Sequence, residues 1–140
     1  MVIIGGEAGQ GIQTVGDLLA TVCWKMGLYI TVVNDFESRI RGGHSFVQLR
    51  ISDQPNSAPS DKVHILAALN SKTVELHKGD LSEGGLVLVD GEESTAAGVT
   101  AIPFSKIARE VGGKIMTNTV VAGAIMGLLG TPFDIFEELL

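Results

Sequence analysis

Apolar residues recur along the chain with two different spacings, and each spacing predicts one kind of element. Short apolar runs bounded by turn residues are typical of buried strands, whereas strict alternation is typical of a strand with one buried face. The segments predicted as strands are residues 1–4, 29–33, 45–52, 63–69 and 86–90. In the alternating segment Val47, Leu49 and Ile51 share one face.

The other spacing is helical. Between Ile12 and Met26 apolar residues recur every three or four positions, and Gly27 is predicted to end this helix. Further helices are predicted at residues 70–77, 103–111, 119–129 and from 133 onward. Because strands alternate with helices, we expect a single α/β domain with a mostly parallel sheet and helices on both faces. Ligands of such sheets bind at the carboxyl ends of the strands.

Length and composition limit the classes of protein to which this chain can belong. A chain of 140 residues with 45% hydrophobic and 19% charged residues is expected to form one well-buried domain. Its net charge of −6 argues against binding nucleic acid. No apolar run is long enough to span a membrane, and the start lacks the pattern of a signal peptide. We therefore expect a cytoplasmic protein.

Few residues could hold a metal or act as a nucleophile. The one cysteine, Cys23, excludes an internal disulfide and an iron–sulfur cluster held by this chain alone, since such clusters normally take four thiolates. His44 has no second ligand at metal-binding spacing, so no metal site is expected. A serine hydrolase is not indicated, because a GxSxG motif is absent.

Glycine is enriched to 18 residues, and we expect the pairs at 5–6, 42–43, 84–85 and 112–113 to lie at turns. The first pair opens GGEAGQGIQ, residues 5–13, between a strand and a helix. Its GxxGxG spacing reverses the dinucleotide fingerprint GxGxxG. Three interpretations stay open. The segment could be a dinucleotide site in which Asp35 hydrogen-bonds to the ribose, a turn without a ligand, or a site for another anion at the helix N-terminus.

A second segment with candidate chemistry is DFESRIRGGHS, residues 35–45, which is predicted to be a loop as far as His44. Its guanidinium groups and glycine amides could hold a phosphate or a carboxylate. Alternatively, Arg39 and Arg41 pair with Asp35 or Glu37 in a solvated loop. Both motifs are expected to leave carboxyl ends of strands and therefore to share one edge of the sheet.

Together, IGGEAGQGI and SRIRGGHSFVQLRIS resemble the gamma domain of the 2-oxoacid:ferredoxin (or flavodoxin) oxidoreductases. The resemblance extends over essentially the whole chain. It is closest to the branch, often of 2-oxoglutarate type, in which this domain is fused ahead of the alpha subunit. It implies a Rossmann-like fold and site residues that match the two family motifs: Gly6, Gly9, Gln10, Gly11, Ser38, Arg39, Arg41, Gly42, Gly43 and His44.

The resemblance also implies that the steps of the reaction are distributed over several chains. The family decarboxylates a 2-oxoacid on thiamine diphosphate, passes electrons through iron–sulfur clusters to ferredoxin, and delivers the acyl group to coenzyme A. Thiamine diphosphate with Mg and the clusters are expected on partner chains: thiamine-binding alpha and beta subunits and an iron–sulfur subunit or ferredoxin, in a hetero-oligomer. Residues 1–140 would contribute to coenzyme A binding and subunit assembly, and the domain is expected to lack its C-terminal elements. The alternatives are a free-standing Rossmann-type nucleotide-binding module and a purely structural interaction domain.

Overall fold

The computed structural model describes residues 1–36, 43–55, 62–92 and 97–140. The strands in these ranges are β1 (Val2–Glu7), β2 (Tyr29–Phe36), β3 (His44–Ser52), β4 (Val63–Ala68), β5 (Leu81–Asp90) and β6 (Val99–Ile102). The α-helices are α1 (Ile12–Lys25), α2 (Ser71–His77), α3 (Phe104–Val111), α4 (Thr117–Leu129) and α5 (Phe133–Glu137).

The strands form one sheet in the order β2-β3-β1-β4-β5-β6. Only β3 runs against its neighbours, while β1, β4, β5 and β6 pair in parallel. The predicted mostly parallel sheet is therefore confirmed. The carboxyl ends of the five parallel strands meet at one edge, which we call the rim and which is marked by Glu7, Phe36, Ala68, Asp90 and Ile102.

Helices cover both faces of the sheet, as predicted. The larger core lies on one face, where α1 and α4 pack on the sheet with Phe104 of α3 and Phe136 of α5. The smaller core lies on the opposite face beneath α2. Successive residues of β1 point to opposite cores, with Ile4 in the larger and Ile3 in the smaller. Among the described residues no helix is long and apolar enough to cross a membrane.

Two glycine pairs do not lie at turns as expected. Gly5 and Gly6 are buried within β1, where both pair with β3 and Gly5 also pairs with β4. A side chain at Gly5 would collide with Thr73, and one at Gly6 would collide with Gln10, so close packing explains these glycines. The pair at 84–85 lies inside β5, whose pairing register with β4 shifts in this region.

Pairing with neighbouring strands makes some strands longer than the apolar segments that predicted them. β2 continues to Phe36 and β3 begins at His44, so both ends of the predicted loop at 34–44 are strand. The polar residues Asn34 and Asp35 belong to the β2–β3 ladder, which local sequence preference does not reveal. β6 was not predicted, because its four residues are too short to show a period.

Candidate functional site

The turn between β1 and α1 carries the first motif. Gly9 and Gly11 have φ values of 90° and 73°, in the left-handed region that favours glycine. The Gln10 side chain folds back, and its Oε1 accepts a hydrogen bond from the Glu7 amide at 2.6 Å. The Gln10 amide in turn donates to the Glu7 carbonyl at 3.1 Å. Gln10 therefore locks the turn and does not cap the helix.

The N-terminus of α1 lies at the rim and has no side-chain cap. Its N-cap, Gly11, has no side chain to accept from the first amides, and no acidic residue lies in the first turn. The start of α3 differs, because the Asp90 carboxylate accepts from the Ser105 amide at 3.0 Å and from the Ser105 hydroxyl. The first amides of α1 carry a partial positive charge that is suited to an external anion.

A cavity of about 360 Å³ lies against this helix start. Its walls come from the glycine turn, the carboxyl ends of β4 and β5, the start of α3 and the segment that leads into α4. The lining residues are Gly9, Gln10, Gly11, Leu69, Asp90, Ser105, Lys114, Ile115, Thr117 and Asn118. Its volume is at the lower end of the range typical of small-molecule sites.

Asn118, in the first turn of α4, packs directly on the glycine turn. A Cβ atom at Gly11 would collide with the Asn118 Nδ2 atom. The Asn118 Oδ1 atom is buried and has no hydrogen-bond partner within the described ranges. A buried amide oxygen without a partner costs roughly 1–3 kcal/mol, so an amide kept at this position calls for an explanation.

The second motif reaches the site only in part. The Gly43 carbonyl accepts a hydrogen bond from the Ala8 amide at 2.9 Å, which ties it to the glycine turn. His44 is buried, and its Nε2 atom lies 2.9 Å from Nε2 of His77. His44 also stacks with Phe46, on the α2 side of the sheet, and it is not among the residues that line the cavity.

The remaining motif residues, Ser38, Arg39, Arg41 and Gly42, lie outside the described residues. The strands that flank their segment, β2 and β3, have their nearer ends at the rim. Their predicted role as ligand-binding residues stays a prediction.

The topology disfavours the dinucleotide interpretation. In dinucleotide-binding folds the ribose-binding acid ends the strand next to the glycine-bearing strand. Here β3 lies between β1 and β2, so Asp35 is two strands, or roughly 10 Å, from the strand that carries the glycine turn.

Several cavity residues were not singled out by the sequence analysis. Asp90 and Leu69 end predicted strands, which is the signal that could have found them. Lys114 and Asn118 lie about a hundred positions from the glycine turn, and only the fold brings them to it. The His44–His77 contact was likewise hidden by a separation of 33 positions.

Comparison with known proteins identifies the family and the relatives of this chain. The sequence matches the family described as pyruvate ferredoxin/flavodoxin oxidoreductase over residues 1–140. It is 30% identical over 142 residues to the ketoisovalerate oxidoreductase subunit VorA of Methanothermobacter thermautotrophicus, and the match covers 96% of this chain. The chain spans only 30% of the length of that relative.

Two solved structures share the fold. A 2-oxoglutarate:ferredoxin oxidoreductase from Magnetococcus marinus, with 2-oxoglutarate, coenzyme A and succinyl-CoA bound, matches with a TM-score of 0.84 and 27% identity. That match covers 98% of this chain and 25% of the other. The gamma subunit of a keto/oxoacid ferredoxin oxidoreductase from Geobacter sulfurreducens matches with a TM-score of 0.80 and 27% identity, covering 98% of this chain and 82% of the other. Since the family match extends from the first residue to the last, the chain belongs to the pyruvate ferredoxin/flavodoxin oxidoreductase family.

Proposed function

We propose that this chain is the gamma domain of a 2-oxoacid:acceptor oxidoreductase and that its rim binds coenzyme A. The enzyme would decarboxylate a 2-oxoacid oxidatively to an acyl-CoA and reduce ferredoxin. The observation that carries the proposal is the uncapped N-terminus of α1, which faces a cavity with Lys114 on its wall. The bound coenzyme A of the Magnetococcus marinus relative supports the same ligand class.

The residues of the rim fit the charge of coenzyme A. Its diphosphate and 3′-phosphate need hydrogen-bond donors, which the first amides of α1 and the Lys114 ammonium group supply. Among the described residues Asp90 supplies the one carboxylate of the cavity wall, and Ser105 engages both of its oxygens. A phosphate would therefore meet donors beside α1.

The redox and carbanion chemistry would belong to other chains. A single cysteine cannot supply the four thiolates of a cluster. Thiamine diphosphate with Mg and the iron–sulfur clusters are proposed on alpha, beta and iron–sulfur partner subunits or on ferredoxin. The domain would then act only within a hetero-oligomer. The matched proteins include both a much longer chain and a separate gamma subunit, so the fused arrangement stays a prediction.

The proposal is tested by steady-state kinetics of the assembled enzyme with Lys114→Gln and Gly11→Ala variants. The first removes a charge from the cavity wall, and the second displaces Asn118 and strains a backbone with φ of 73°. We expect the KM for coenzyme A to rise about tenfold or more in each variant, with the KM for the 2-oxoacid unchanged.

Lys106→Gln is the matched control, since Lys106 is exposed on α3, outside the cavity lining, and pairs with Glu92 at 2.7 Å. Unchanged coenzyme A kinetics in both rim variants would refute the site. If Gly11→Ala instead prevented assembly while Lys114→Gln behaved as wild type, a purely structural interaction domain would be favoured.

A further inference from the structure

We infer that Asn118 is a specificity-determining residue of the rim, whose side-chain amide donates a hydrogen bond to a phosphate group of the ligand. This inference rests on the proposed function and assigns a contact within that site. It starts from a side chain whose position is costly for the folded protein.

No hydrogen bond holds the buried oxygen of the Asn118 side chain. Within the described ranges its Oδ1 atom has no partner. By contrast, Asn70 at the start of α2 accepts from the Thr73 amide at 2.9 Å and from the Thr73 hydroxyl at 2.8 Å. One asparagine therefore caps its helix, and the other does not.

The side-chain amide of Asn118 lies against the glycine turn. The Nδ2 atom occupies the space where a side chain of residue 11 would lie. It is therefore beside the uncapped start of α1, whose amides are also donors. Lys114 lies on the same cavity wall, one helical turn before Asn118.

These donors come from α1, from α4 and from the segment that leads into α4, and they converge on one cavity. Backbone amides of α1, the Asn118 amide group and the Lys114 ammonium group are all positive or partly positive. Such a set binds a phosphate better than it binds a neutral group. The pantetheine arm of coenzyme A has no phosphate, so Asn118 should respond to the nucleotide end with its diphosphate.

The assembled enzyme with Asn118→Leu tests this contact, because leucine has a similar volume and no polar atom. Binding is measured by calorimetry with coenzyme A, with 3′-phospho-ADP and with pantetheine. We expect affinity for the first two probes to fall about 10- to 100-fold, as for the loss of a hydrogen bond to a charged group. Pantetheine binding should not change.

Thermal stability gives a second readout that separates a ligand contact from a structural role. Since leucine removes a buried oxygen without a partner, the melting temperature of Asn118→Leu should equal or exceed that of the wild type. A structural asparagine would instead lose stability on this substitution.

Asn118→Asp is the second variant, and it keeps the shape while replacing the donor by a charged acceptor. A carboxylate in the first turn of α4 is compatible with the helix, so this variant should fold. It should bind coenzyme A more weakly than Asn118→Leu does, because it repels the phosphate.

Wild-type affinity for coenzyme A in both Asn118 variants would overturn the inference and leave the proposed function standing. A loss confined to pantetheine would overturn the phosphate assignment. If the wild-type assembly bound no coenzyme A while binding its 2-oxoacid, the proposed function would fail, and the inference with it.

Discussion

A pair of buried histidines joins the start of β3 to the end of α2. The Nε2 atoms of His44 and His77 are 2.9 Å apart, so one ring must donate and the other accept. His77 Nδ1 also lies 3.7 Å from the Asp80 carboxylate. The bond between the two rings fixes the last described residues of the second motif against α2.

Replacing His77 by phenylalanine tests that bond, because it keeps a ring in place and removes the nitrogen that bonds to His44. The hydrogen bond between the two rings would then be lost, so the free energy of unfolding should fall by about 1–3 kcal/mol. Urea unfolding of the protein measures the change. The matched control is His64→Phe, since His64 is exposed and bonded to the N-terminal amine. Equal stabilities of the two variants would show that the buried bond contributes nothing.

At the residue scale, the sequence predicted the glycine turn and missed its partners. Gly9 and Gly11 were recognisable because a strand, a glycine cluster and a helix follow one another along the chain. Lys114 and Asn118 could not be found in this way, because their approach to Gly11 depends on the packing of α4 on α1. Local patterns predict local turns, whereas a cavity formed by distant segments requires the fold.

Helix α1 contributes a continuous row of buried residues to the larger core. The apolar period predicted it, and it ends as predicted before Gly27, whose φ is 77°. Val15, Leu19 and Val22 are fully buried. Helix position is therefore set by apolar burial along its length, which leaves the N-terminus free to lie uncapped at the rim.

Cys23 tests the burial of α1. It is 1% exposed, and burial raises the pKa of its thiol, so the neutral thiol is favoured in the folded protein. Any stability linked to this proton is present at neutral pH and is lost as the pH rises through the raised pKa. At mildly alkaline pH a thiol reagent should label Cys23 far more slowly in the native protein than in denaturant, as followed by mass spectrometry. Equal labelling rates would mean that α1 does not pack as described.

The strands show which structural features sequence patterns predict and which they do not. β3 was predicted almost completely, because its alternation reflects one buried face, with Val47 and Leu49 buried. The first half of β5 was missed, since Gly84 has φ of 75° and the register shifts there. Such irregularities depend on the neighbouring strand, and single-strand periodicity does not contain them.

At the scale of the whole molecule, the five parallel strands direct their carboxyl ends to one rim, where the first motif and the end of the second meet. The fold class could be predicted from the alternation of strands and helices, and the family from the paired motifs. The cavity and its donors could not, because they arise from five separate segments. The chain also spans 30% of the length of VorA and 25% of the Magnetococcus marinus chain. Catalysis is therefore proposed for an assembly of which this domain is one part.

The most direct test of that account is mild affinity purification of this chain from its native cells, with mass spectrometry of the bound proteins and a visible spectrum. We predict co-purifying chains that contain thiamine diphosphate and iron–sulfur clusters, a brown preparation, and coenzyme A-dependent reduction of ferredoxin by a 2-oxoacid. A colourless protein without partner chains or oxidoreductase activity would contradict the account.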